Sequence, residues 1–264
     1  MLWLRIAAAT ALSVASLVAA DMKVDFSKEV VGKPPVNFEP IVGTWTVVQD
    51  GADKVVMVDG RPWTASKDNP TKLLVESARK LYGTRNEELM DNAKQFAYYP
   101  VSVLKSVDNF TNGTISVKFK TVGGDLDRCS GILFNVKSSG DWLALRYNDT
   151  EHNVVLWEFH NGIRRPMIRP RDGDLLKAEG DREKWHELKL DVEGANVTGS
   201  LDGAKVLSYV LGSEPGPGRN NAPPNPDLMP ANNPVIRPPV AGKIGLWSKT
   251  DSTSYFKDYV VRSR

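Results

Sequence analysis

The run Trp142-Leu-Ala-Leu-Arg-Tyr-Asn148 puts Trp142, Arg146 and Asn148 on one side of an extended strand and Leu143, Leu145 and Tyr147 on the other, because side chains alternate across a strand. An indole ring, a guanidinium fork and a carboxamide side by side suit a sugar. Its C–H faces stack on aromatic rings, and its hydroxyls need bidentate hydrogen-bond partners. Asn135 on the preceding run and Glu158 on the following one extend the same surface. A second reading uses the same residues structurally, with Trp142 in a sheet-edge core and Arg146 paired to a carboxylate.

Catalytic chemistry has weaker support. Glu158 and His160 share strand parity, so a carboxylate and an imidazole could work as an acid/base pair, although a solvated strand face explains them too. Asp191 and Glu193 also share a face. A retaining glycosidase needs two carboxyls about 5–5.5 Å apart, but the alternation of this run already accounts for both residues as its wet side. The three histidines, His152, His160 and His186, form no compact ligand spacing, which argues against a zinc site. Cys129 lies inside an apolar run with no adjacent base, so it reads as packing. Asp125 and Asp127, and likewise Asp172 and Asp174, place carboxylates at alternate loop positions. Calcium takes 6–8 oxygens, and Asp125 and Asp127 are the candidate ligands, with ordinary Asp-Gly turns as the other reading.

The elements that must hold these residues are strands. Gly113–Lys120 and Trp185–Val192 alternate apolar and polar residues at period two. Similar runs follow at Thr44–Gln49, Lys54–Val58, Cys129–Val136, Trp142–Asn148, Asn153–His160, Val197–Leu201, Lys205–Val210, Lys243–Trp247 and Tyr255–Val261. Turn signals such as Asp202-Gly203 and Glu193-Gly-Ala-Asn196 separate them. Many short strands at this spacing specify an all-β, two-sheet sandwich or barrel. Only Arg85–Lys94 has a helical pattern, as one short connecting helix. Gly212–Val240 holds nine of the 17 prolines, and reads as a Pro/Asn-rich surface loop inserted between neighbouring strands.

Composition bounds the partners. Of 264 residues, 41% are hydrophobic and 25% charged, which is enough for an ordinary core. Lys plus Arg is 34 against 32 for Asp plus Glu, too balanced for a nucleic-acid binder. A single cysteine excludes an intrachain disulfide.

From Phe110 onward the order of signals is distinctive. Asp127-Arg-Cys-Ser-Gly-Ile-Leu-Phe134 precedes Gly140-Asp-Trp-Leu-Ala-Leu-Arg-Tyr147, then Trp185-His-Glu-Leu188, Leu201-Asp-Gly203, Gly242-Lys-Ile-Gly-Leu-Trp247 and Ser254-Tyr-Phe-Lys-Asp258. The set resembles the concanavalin A-like lectin/glucanase superfamily, and within it the bacterial laminin-G-like and 3-keto-disaccharide hydrolase-type domains. The resemblance implies an antiparallel jelly roll over residues 21–264 and a glycan partner. Carbohydrate recognition without cleavage is the leading expectation. The alternatives are a 3-keto-glycoside hydrolase using Glu158 and His160, or a protein-adhesion module.

Residues 1–20 carry one charge, Arg5, then an apolar run ending in Val18-Ala-Ala20. This is the pattern of a cleaved secretory signal, too short for a membrane span, and it predicts a secreted or periplasmic mature chain. Mass spectrometry of the exported protein should find Asp21 as the first residue. An intact Met1 would defeat this reading.

Overall fold

The computed structural model describes residues 21–61, 99–160, 163–168, 183–213 and 236–264. All fifteen of their elements are strands: β1 (Met22–Lys23), β2 (Phe38–Val42), β3 (Thr44–Asp50), β4 (Asp53–Asp59), β5 (Val101–Leu104), β6 (Gly113–Gly123), β7 (Cys129–Val136), β8 (Trp142–Asn148), β9 (Asn153–His160), β10 (Ile163–Ile168), β11 (His186–Glu193), β12 (Asn196–Leu201), β13 (Ala204–Val210), β14 (Lys243–Trp247) and β15 (Thr253–Ser263). The period-two runs are strands, as expected. β1, β2, β5 and β10 are additional, short and set at the margins of the two sheets or beside the long strands. The expected helix Arg85–Lys94 and the Asp172–Asp174 loop lie outside the described residues.

Two antiparallel sheets face each other. One has eight strands, running β13-β12-β11-β6-β15-β4-β3 with β1 against β15; the other has seven, in the order β10-β9-β8-β7-β14-β5-β2. Leu188, Leu190 and Val192 of β11 and Ile115, Val117 and Phe119 of β6 meet Ile132 and Phe134 of β7 and Leu143, Leu145 and Tyr147 of β8 in a continuous intersheet core. Tight turns fix the register where the sequence marks them. In the β12–β13 hairpin, Asp202 (φ 49°) and Gly203 (φ 80°) take the two positive-φ positions of the turn that matches strand twist.

The sheets differ on their outer faces. In the eight-stranded sheet, residues pointing away from the core are partly exposed, as the alternation predicts. In the seven-stranded sheet every residue of β7 and β8 is buried. A second cluster, including Val101, Val103, Leu133, Trp142, Ala144, Phe159 and Trp247, lies on that outer face. Trp142 stacks on Phe159 with ring centroids 4.8 Å apart and planes 5° off parallel, and Tyr99 stacks on Trp247 at 5.9 Å. Trp142 is therefore not the exposed platform expected for a sugar; it is 1% exposed and belongs to a packed aromatic cluster.

The Gly212–Val240 stretch is likewise not a surface loop to its end. Ile236 and Val240 enter the intersheet core, and Arg237 Nη1 donates to the Gly212 carbonyl at 2.6 Å. The chain thus returns to the sandwich before β14 begins.

Because Trp142 is fully enclosed, Trp142→Ala should cost about 3–5 kcal/mol in denaturant unfolding, the scale of a truncated core aromatic. A loss below about 1 kcal/mol, the scale of an ordinary surface substitution, would mean that this outer face is not packed.

Candidate functional site

Across the seven-stranded sheet, antiparallel pairing aligns Trp247 of β14, Gly131 of β7, Arg146 of β8 and Val155 of β9 in one lateral row on the outer face. Gly131 is required there. A Cβ on it would stand 2.8 Å from the Leu145 carbonyl oxygen and 3.1 Å from the Trp247 ring. Its bare backbone lets the indole lie close over the sheet, in the row that holds Arg146.

Arg146 is 2% exposed, so its charge needs a partner. Nη1 and Nη2 both donate to Glu151 Oε2, at 3.1 and 3.0 Å, and the guanidinium lies 5.7 Å from the centroid of the Trp157 ring. Asn153 Nδ2 donates to the same carboxylate oxygen at 3.2 Å. Partial burial acts to raise the Glu151 pKa. The Arg146 charge and the hydrogen bonds from Arg146 and Asn153 outweigh it and leave the carboxyl below its ordinary value. Of Arg146, only Nε has no acceptor; Trp247 Nε1 and Asn153 Oδ1 are also buried without a hydrogen-bond partner. The row therefore carries two unmatched donors, with an unmatched acceptor, Asn153 Oδ1, at the start of β9.

The loops around Arg146 are held by carboxylates. Asp251 accepts the backbone N–H groups of Asp125, Leu126 and Asp127 at 2.6–3.2 Å, and these amides hold its pKa down against burial. Asp127 Oδ1 accepts from Asn148 Nδ2 at 3.2 Å and Lys249 Nζ at 3.0 Å, while Oδ2 accepts from Thr250 Oγ1 at 2.8 Å. The expected calcium ligands are thus differently engaged. A lysine ammonium already neutralises Asp127, Asp125 is exposed, and no metal-binding group of three acidic, His or Cys side chains occurs among the described residues.

The other expected residues separate into two ends of the sheet. Asn148 is buried beside Asp127, and its Oδ1 caps Thr150 through N at 2.9 Å and Oγ1 at 2.7 Å. Asn135, at the opposite end of β7, has φ 54° and accepts the Ala241 N–H at 3.0 Å, so it anchors the chain entering β14 and does not extend the Arg146 surface. Glu158 pairs laterally with Leu143, which puts it on the intersheet face; it is fully buried and accepts the Ile236 N–H at 2.7 Å. His160 Nδ1 instead meets Asp141 Oδ2 at 2.9 Å. Each member of the expected acid/base pair is directed to its own structural partner. Asp191 pairs with Arg264 at 2.9 Å and Glu193 is exposed, as the wet side of β11. Burial pushes the Cys129 thiol up to about 12, Arg146 nearby opposing it only in part, so the thiol stays protonated and inert.

Glu151, Asn153 and Trp247 were not singled out in the sequence as site residues. The available signal was Arg146 itself: a guanidinium between apolar neighbours demands a carboxylate, and the β8–β9 turn offers two, Asp149 and Glu151, of which Glu151 is the one that reaches it.

No known protein-family pattern matches the chain, and no curated protein sequence does. Among solved structures, the carbohydrate binding module CBM66 from Bacillus subtilis superposes with a TM-score of 0.51 at 13% identity, over 85% of this chain and 95% of that one. A Bacillus subtilis protein of unknown function with a galectin-like fold gives 0.47 at 12% identity, over 86% and 88%. The chain has the concanavalin A-like jelly-roll fold that the sequence resemblance implies.

The Glu151 carboxyl is depressed in the folded state, so its contribution is present above the unfolded pKa and is lost as pH falls through the folded one. Glu151→Gln should therefore flatten the decline of stability on acidification below pH 4.5, the ordinary value. Thermal melts across that range test it. Parallel acid limbs in variant and wild type would show that the Arg146 pairing adds nothing.

Proposed function

We propose that this chain recognises carbohydrate without cleaving it, and that the Arg146 row is where it does so. One observation carries the reading. Two buried donors, Arg146 Nε–H and Trp247 Nε1–H, have no acceptor, and both belong to residues in one lateral row of the sheet. Buried donors are costly to leave unmatched, and a ligand oxygen satisfies them at little further desolvation cost. Sugar hydroxyls are suitable acceptors for such donors. Glu151 supports the reading in a second way. Its side chain is 49% exposed, so the ion pair reaches solvent through the carboxylate while the guanidinium stays fixed. One of the solved structures it superposes on is a carbohydrate binding module, which agrees with this ligand class.

Hydrolysis is not part of the proposal. A glycosidase needs two carboxyls facing a common space, whereas Glu158 is spent on the Ile236 amide and Asp191 on Arg264. Export through the Val18-Ala-Ala20 signal belongs to the same reading, since polysaccharides are met outside the cell.

Glycan-array screening followed by calorimetry should identify a saccharide whose affinity Arg146→Ala weakens by roughly 1.5–3 kcal/mol, the scale of a hydrogen bond to a charged group. Arg146→Lys should restore little, because an ammonium lacks the planar fork. Unchanged affinity in both folded variants would remove the site from this row.

A further inference from the structure

The outward face of the eight-stranded sheet carries a second arrangement of aromatic and polar groups. Register places Lys120 of β6 beside Tyr255 of β15, and Trp185, just before β11, continues the outward parity of Glu187. Lys120 Nζ lies 5.2 Å from the Trp185 ring centroid and 5.3 Å from that of Tyr255, and Lys257 Nζ lies 4.2 Å from the Trp185 ring. Aspartates hold both ammoniums in place: Lys120 on Asp50 at 2.7 Å, Lys257 on Asp53 at 2.6 Å. Trp185 and Tyr255 remain partly exposed. Their rings are therefore fixed before any ligand arrives, which lowers the ordering cost of binding.

From this platform a trough runs down β6. Thr114, Ser116 and Lys118 form its floor, with Glu187 and Lys189 of β11 on one side and Val260 and Arg262 of β15 on the other; its volume is about 300 Å³. Small side chains on the central strand between long ones on its neighbours make the depression. A bulge between Lys257 and Val260, with Asp258 at φ 50°, turns Asp258 toward Lys118 at 3.0 Å. From Trp185 to Asp191 the outward positions of β11 span about 20 Å at the usual strand rise, the length of a short oligosaccharide and more than one ring.

Charge narrows the class of ligand. Most cations of the strip face acids: Lys118 and Lys23 share Asp258, Lys120 lies on Asp50, Lys257 on Asp53 and Arg262 on Asp21, while Lys189 and Glu187 add one charge of each sign to the trough. A face of mixed and largely paired charge offers donors and acceptors without a strong field that draws polyanions.

We infer that the Trp185–Tyr255 platform and the Thr114–Ser116–Lys118 trough form a second binding surface, for an extended strand of neutral polysaccharide, on the side of the sandwich opposite Arg146. It takes its ligand class from the reading above and shares no residue with that site. Two such faces on one domain would bridge separate glycan chains.

The test uses the Arg146→Ala protein as background and titrates cellohexaose, mannohexaose, xylohexaose, laminarihexaose and a sulfated heparin hexasaccharide, following tryptophan fluorescence. At least one neutral hexasaccharide should bind, and Trp185→Ala or Ser116→Tyr should each weaken it tenfold or more with melting temperature unchanged. The protein with Arg146 intact should aggregate the corresponding long polysaccharide, and Trp185→Ala should bind it without aggregating it. Binding abolished by Arg146→Ala alone would leave the first site standing and overturn this one; retained binding lost only on Trp185→Ala would do the reverse. Preference for the heparin probe, binding of none of the neutral probes, or a self-association that Ser116→Tyr abolishes would also overturn the inference.

Discussion

Arg146 is a permanent charge on a buried and largely apolar sheet face. Removing a guanidinium from water costs several kcal/mol even after relaxation, and a nearby carboxylate offsets this only with good geometry. The seven-stranded sheet supplies that geometry locally. β8 presents the fork, the turn into β9 returns Glu151 to it, and Asn153 fixes the carboxylate from β9. The surrounding loops follow from the same demand. Asp251 gathers three consecutive amides of residues 125–127, and Asp127 ties Asn148, Lys249 and Thr250 together, so the end of the sheet around Arg146 is framed by charge-assisted bonds.

The two sheets solve opposite problems. The eight-stranded sheet buries one face and wets the other, so its outer surface holds long charged side chains paired across strands. Among the described residues, the centre of the seven-stranded sheet, β7 and β8, is buried on both faces; most of its polar groups are matched within the fold, and a few, Ser130 Oγ and Asn135 Nδ2 among them, are not. Glu158 illustrates the matched case, as an intersheet carboxylate satisfied by the Ile236 amide. Arg146 Nε and Trp247 Nε1 illustrate the other.

Much of the fold was legible because period-two alternation and Asp-Gly or Asn-rich turns are local signals. Trp185–Val192 and Gly113–Lys120 needed nothing else. The site was only half legible, for a physical reason. Parity tells which side chains share a face; it does not tell whether that face is covered. Trp142, Ala144, Arg146 and Asn148 alternate with Leu143, Leu145 and Tyr147 just as a wet face would, yet both sets are buried. The structural alternative for Trp142 and Arg146, a core ring and a guanidinium on a carboxylate, is the arrangement found. Asp127 differs for another reason: its partners Lys249 and Thr250 lie far along the chain, and spacing within one loop cannot reveal a lysine brought in by another, the β14–β15 loop. β2 was hidden by Pro40 in its middle, which reads against a strand, and β5, at four residues, is too short to show a period.

A ligand-binding Arg146 row and a merely structural ion pair are told apart by the two unmatched donors. Nitrogen-15 NMR reads both donors directly, through the Arg146 Nε–H and Trp247 indole N–H resonances, during titration with the saccharide selected on the array. Both signals should shift at saturation and their exchange with solvent should slow, as each gains an acceptor. Both signals unmoved while the saccharide is demonstrably bound would contradict a ligand-binding row.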